Sequence, residues 1–183
     1  MRLDLESLKD IKVWEKAGIA LPEFNLAAVR EQTHRQPTWL HLGAGNIFRA
    51  FQANVVQKLL NSGEIDTGLI AAEGFDYEIV EKMYWPHDNL GILATLKADN
   101  TVDKTIVGSI MESLVLDSEN EEQYGRLKEI FANPSLQMAS FTITEKGYSL
   151  VNGKGELLPA VEEDFRKGPE RPGSYIGKVA SLL

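Results

Sequence analysis

One unit constrains this chain more than any other. Residues 37–42, Pro-Thr-Trp-Leu-His-Leu, form a short apolar strand pattern that stops at Gly43-Ala44-Gly45-Asn46 and passes at once into a helical one. Phe48, Phe51, Val55, Val56, Leu59 and Leu60 recur at helical intervals and are expected to share one buried face. Asn61-Ser62-Gly63 supplies a stop. Residues 68–72 then read as a second buried strand, ending at Glu73-Gly74. Two buried strands joined by a helix are parallel neighbours, because an antiparallel pair needs only a tight turn.

The expected fold class is therefore α/β: a Rossmann-type, mainly parallel sheet with flanking helices. Residues 90–96 and 101–107 are rich in Ile, Val, Leu and Thr and are joined by Lys97-Ala98-Asp99-Asn100, an antiparallel hairpin excursion. Residues 113–116 predict another strand. Ser118-Glu119-Asn120-Glu121 has the spacing of a capping box, with Tyr124, Leu127 and Phe131 as the helix stripe behind it. Asn133-Pro134 ends that helix, and residues 137–144 alternate into a buried strand. Asn152-Gly153 marks a turn. Residues 162–173 are polar, with Pro169 and Pro172 breaking regular structure, and a last amphipathic helix starts near Ser174 with Tyr175, Val179 and Leu182 facing inward. Residues 1–36 are read as an N-terminal extension packed on a main domain of residues 37–183, with Leu5, Leu8, Ile11 and Trp14 on one sticky face.

Length and charge narrow the function classes. At 183 residues the chain is one domain or slightly more. A net charge of −8 disfavours nucleic acid and anionic membranes as partners, since both need a positive field. Cysteine is absent, which removes disulfides and thiolate chemistry and is compatible with a cytoplasmic location. The three histidines are not closely spaced and give no metal site. There is no apolar run near the ~20 residues that span a bilayer, nor a basic and apolar leader at the start.

The glycine turn sits where an anion site would be built. Gly43 and Gly45, without Cβ, allow a tight turn and let the backbone approach a pyrophosphate. The free amides of Asn46, Ile47 and Phe48 would face it. The third glycine of the dinucleotide fingerprint is replaced by Phe48, so the helix is expected to sit further from the strand. Arg49 is a cation in the first helical turn, against the macrodipole by ~0.3–1 kcal/mol, a conflict that a bound anion or a nearby carboxylate would relieve. An acid about 20 residues past the glycines usually holds the adenosine ribose. Glu73 lies 28 residues past Gly45, with Asp76 in reserve; an acid there favours NAD over NADP. Thr144 and Glu145 fall at the carboxyl end of a predicted parallel strand, where open α/β sheets bind ligands. The same turn also serves an ordinary βα connection that holds nothing, and Glu73 and Asp76 could be solvated loop acids.

Two segments carry a family resemblance. His41-Leu42-Gly43-Ala44-Gly45-Asn46-Ile47-Phe48-Arg49-Ala50-Phe51-Gln52-Ala53 resembles the N-terminal fingerprint of the polyol-specific long-chain dehydrogenases, and Ser140-Phe141-Thr142-Ile143-Thr144-Glu145-Lys146-Gly147-Tyr148 is similar to that family's T-x-T-E-x-G-Y segment. The group includes mannitol dehydrogenases and the fructuronate and tagaturonate oxidoreductases. The resemblance implies an NAD-binding domain, followed in full-length members by a helical substrate domain. It also implies metal-free hydride transfer between a nicotinamide and a sugar alcohol or sugar acid. The family's catalytic lysine and its S/C-D-N-x-x-x-N-G segment have no counterpart here, so no catalytic residue is assigned, Lys146 included, and these 183 residues alone are expected not to turn over. Two rivals stay open: an adenosylmethionine-dependent methyltransferase, which shares the glycine turn, and a non-catalytic nucleotide-binding or assembly domain. Apolar surface left uncovered predicts self-association.

Overall fold

The structure, a computed structural model, describes residues 2–183, apart from the side chains of Glu145 and Lys146. A 3-10 turn at Ser7–Lys9 leads to α1 (Ile11–Lys16), β1 (Ile19–Ala20) and α2 (Leu26–Arg35). Then come β2 (Trp39–Leu42), α3 (Asn46–Ala50), α4 (Gln52–Asn61) and β3 (Leu69–Glu73). A short α5 (Tyr77–Ile79) continues into a π turn at Val80–Tyr84 and a 3-10 turn at Trp85–His87. β4 (Gly91–Leu96), β5 (Val102–Val107) and β6 (Ile110–Val115) precede α6 (Glu121–Ala132) and β7 (Met138–Phe141). The chain closes with α7 (Glu145–Tyr148), α8 (Pro159–Lys167) and α9 (Tyr175–Ala180). None of these helices is long and apolar enough to cross a membrane.

The main sheet has the order β6-β3-β2-β7, and every pair in it is parallel. Alternate side chains divide its core. Leu69 and Ala71 pack on one face with Phe48, Ala53, Val56 and Leu60 of α3 and α4. Leu40, Leu42, Ile70 and Ala72 pack on the other with Tyr124, Leu127 and Ile130 of α6 and Tyr175, Val179 and Leu182 at the C-terminal end. All five β3 residues are buried, as expected of a central strand covered on both faces. This is a Rossmann-type α/β fold. The expected hairpin also forms, but it lies in a separate three-stranded sheet of order β1-β5-β4, in which β5 pairs with both β4 and β1.

Local departures from the sequence reading have physical causes. The helix after the glycine turn is broken at Phe51, whose ψ of −74° ends α3 and restarts the chain as α4. Phe51 and Val55 consequently point outward and Ala53 and Gln57 take inward positions. Ser118 does not cap α6. Its hydroxyl donates to the Pro172 carbonyl, while Asn120 accepts the Gln123 N–H as the N-cap. Ile11 is exposed; Trp14 instead packs with Leu90, Ile106, Leu5 and Leu8. α8, which the sequence reading did not name, ends before Pro169 and has Val161 as its buried anchor.

Candidate functional site

The chain leaves β2 through α3 and α4 on one face, and reaches β7 through α6 on the other. The connections of these two adjacent parallel strands therefore lie on opposite faces, and such a topological switch point is where open α/β sheets place a ligand. The glycine turn and the segment after β7 meet at this point, where Gly43 lies against Thr142.

Gly43 is fixed by its neighbours. Its N–H donates to the Ala72 carbonyl at 2.8 Å and its φ is +117°. A Cβ there would lie 2.8 Å from both the carbonyl oxygen and Oγ1 of Thr142. Gly45 differs: a Cβ on it would meet nothing within 4 Å. Ala44, between them, is buried. Its N–H donates to Glu73 Oε2 at 2.9 Å, and its carbonyl accepts the Tyr84 hydroxyl at 2.8 Å. The main-chain N–H groups of Gly45, Asn46, Ile47 and Phe48 donate to no acceptor among the described residues. Four adjacent unspent donors beside an open glycine are the chemistry of an anion cradle.

Phe48 accounts for the missing third glycine. It is fully buried, and its ring lies parallel to the His41 imidazole with centroids 4.1 Å apart. His41 is held edge-on by the Ser140 hydroxyl (2.7 Å, Nδ1) and the Thr142 hydroxyl (2.8 Å, Nε2). Burial lowers its pKa to about 4, so the ring is neutral. Ser140 Oγ also accepts from Trp39 Nε1 at 2.7 Å. A polar ladder thus ties β2 to β7.

Arg49 reaches back along α3. It donates to Asn46 Oδ1 and lies over the Tyr84 ring at 5.6 Å, while its Nε is buried with no partner among the described residues. Burial holds the Tyr84 hydroxyl well above the usual phenol range, against the pull of Arg49. Arg49, Asn46 and Tyr84 line a cavity of about 280 Å³.

Glu73 sits at the end of β3, only 8% exposed. Besides Ala44, its carboxylate accepts the N–H groups of Gly74 (3.0 Å), Phe75 (2.9 Å) and Asp76 (3.4 Å) through Oε1. Asp76 is exposed, and its side chain caps nothing. Thr144 is exposed after β7, with its carbonyl accepting Gly147 N–H; the Glu145 side chain lies outside the described residues.

Sequences and structures of known proteins match this arrangement. No protein-family model matches the chain. The D-mannonate oxidoreductase of Thermotoga maritima is 50% identical over 183 residues, which is 100% of this chain and 34% of that protein. The D-mannonate oxidoreductase of Escherichia coli is 29% identical over 150 residues, 79% of this chain and 30% of its own. The mannitol 2-dehydrogenase of Pseudomonas fluorescens, solved as a ternary complex with NAD and D-mannitol, superposes with a TM-score of 0.76 at 26% identity, over 100% of this chain and 35% of that one. This chain belongs with the polyol-specific dehydrogenases, at their N-terminal part. It spans about a third of the length of the curated relatives it matches.

Within this family framework, the residues that sequence reasoning missed are those that hold the turn rather than form it. Tyr84 carries no motif signal. Thr142 belongs to the second family segment, but its contact with Gly43 is purely tertiary. Tyr175 stacks on Phe75 at 4.7 Å and lies against Gly74, and its buried hydroxyl has no partner among the described residues. Burial and the Glu73 charge keep that hydroxyl well above the usual phenol range.

Proposed function

We propose that this chain is the NAD-binding part of an oxidoreductase acting on a sugar alcohol or a sugar acid such as a hexonate. The observation that carries this reading is the row of unspent amides at Gly45–Phe48, lying at the switch point of a chain half identical to a D-mannonate oxidoreductase. The residues present fit a dinucleotide. Gly43 and Gly45, with Ala44 between them, shape the turn, the amides of Gly45, Asn46, Ile47 and Phe48 would take the diphosphate, and Arg49 adds positive charge nearby. Asp76 has a free carboxylate for a ribose hydroxyl, whereas Glu73 already satisfies four amides. Thr144 and Glu145 would flank the nicotinamide side. NAD, when bound, supplies the carbon that accepts hydride from the substrate alcohol; this chain's own part is binding and orientation.

Residues 37–183 would form the nucleotide-binding unit, with residues 1–36 packed against it through Trp14 and β1. The lack of cysteine is in keeping with a cytoplasmic home. Isothermal titration of the chain with NAD, NADP and adenosylmethionine tests the reading. Binding of NAD supports it. Binding of adenosylmethionine alone would overturn it in favour of a methyltransferase.

A further inference from the structure

We propose that Glu73 is a positioning residue: a carboxylate staple that joins two turns and so presents the amides of Gly45–Phe48 to the dinucleotide. This rests on the NAD-binding reading and gives Glu73 a role other than holding ribose.

The argument starts from the acceptors. A carboxylate has two oxygens and about four lone-pair sites, and it donates nothing when ionised. In Glu73 one oxygen serves Ala44, 29 positions earlier in the chain, and the other serves Gly74, Phe75 and Asp76. The residue is buried, and its bonds from Ala44 and Gly74 are shielded from water. Hydrogen bonds to an ionised acceptor are roughly twice as strong as neutral ones. Oε1 is taken up by the amides of Gly74–Asp76, so a ribose hydroxyl would have to share Oε2 with the buried Ala44 N–H.

The consequence falls on Ala44. Its N–H is held by Glu73 and its carbonyl by the Tyr84 hydroxyl. Both peptide planes that flank Ala44 are therefore fixed. Rotation of either would turn the next amides away from the switch point. Because Ala44 N–H is already spent, the anion cradle begins at Gly45, the turn glycine with open space around it. Donors set in place before a charged ligand arrives need no reorganisation on binding.

Glu73→Gln isolates the staple. A carboxamide keeps one acceptor and replaces the other with two donors. Its oxygen can still serve the three amides of the Gly74–Asp76 turn, but its NH₂ then faces the Ala44 N–H, donor against donor. The cross-turn bond is lost while the local turn survives. The experiment is titration of wild type and Glu73→Gln with NAD, ADP-ribose and adenosine, with thermal melts of both proteins and hydrogen exchange of the Ala44 amide. The staple predicts about tenfold weaker binding of NAD and ADP-ribose, unchanged adenosine binding and faster Ala44 exchange. Equal weakening for adenosine assigns Glu73 to the ribose and overturns the proposal. So does equal or tighter NAD binding by the variant. A variant that loses its cooperative melt is replaced by Tyr84→Phe, which frees only the Ala44 carbonyl and must show the same split between phosphate-bearing ligands and adenosine. A wild-type chain that binds none of the three overturns the NAD-binding reading itself, and this one with it.

Discussion

The His41 imidazole lies 3° from parallel to the Phe48 ring, one on the first strand of the main sheet and the other in the helix that follows its glycine turn. This stack occupies the place where a third glycine would let helix and strand approach. Restoring that glycine should therefore harm the protein. Phe48→Gly removes a fully buried ring and adds a flexible residue to a helix. We expect a loss of about 4 kcal/mol of stability, read by urea denaturation. A change under about 1 kcal/mol would mean that the ring is not a packing element.

The same histidine sets a pH dependence. Its folded pKa of about 4 lies below the unfolded value of 6.5, and burial is the cause. The fold thus holds the neutral ring. The stability this contributes is fully present above about pH 6.5, drains as the pH falls from there, and is gone below about pH 4. The window amounts to about 3 kcal/mol. Chemical denaturation across pH 7 to 4 should show the loss, and an imidazole titration followed by NMR should place His41 near 4. A midpoint close to 6.5 would contradict it.

The two turn glycines should separate stability from binding. Gly43→Ala places a methyl 2.8 Å from two Thr142 oxygens at a φ of +117°, and should cost about 3 kcal/mol. Gly45→Ala meets no protein atom within 4 Å at an ordinary φ of −73°, and should leave stability within about 0.5 kcal/mol of wild type. A methyl there intrudes on the cradle, so NAD affinity should fall roughly tenfold or more. Paired melts and titrations check both. If Gly45→Ala binds NAD as wild type does, the diphosphate does not approach this turn.

How much of this could be read from residues alone depends on where each partner lies. The strand, glycine turn, helix and strand were legible because their periods differ and the partners are local. The hairpin was legible from its two β-branched runs and their polar link, but its pairing with Ile19–Ala20 was not, since nothing in a two-residue strand announces it. Phe51 and Val55 have helical spacing yet face outward, because the break at Phe51 resets the phase and spacing alone cannot show a break. Ser118 lost its cap role to a carbonyl 54 positions away, and Asn120 took it. α8 was not read because Val161 and Phe165 make only one apolar pair at helical spacing, and Phe165 turns out exposed. Its Asp164 carboxylate accepts the N–H groups of Gly173 and Ser174, contacts that polarity along the sequence cannot distinguish from solvation. Glu73 was legible as an acid in the right place, but its engagement by amides was not, because Ala44 comes to it only through the sheet.

The free edge of the main sheet yields the last expectation. Among the described residues β7 pairs with β2 alone, and its other edge has no partner strand. Met138 and Phe141 on it are 43% and 38% exposed. A parallel strand at this position is ordinarily covered, and an uncovered strand edge with apolar side chains recruits another chain. We expect the chain to self-associate at micromolar concentration, with a scattering mass above the 20.4 kDa of one copy. Met138→Lys places a charge at the edge and should return the mass toward one copy without lowering the melting temperature, since Met138 packs little. A wild-type mass of one copy at all concentrations would show that the edge is inert. A wild-type oligomer that Met138→Lys leaves intact would place the contact elsewhere, and the exposed Ile47 and Phe51 side chains would be the next to substitute.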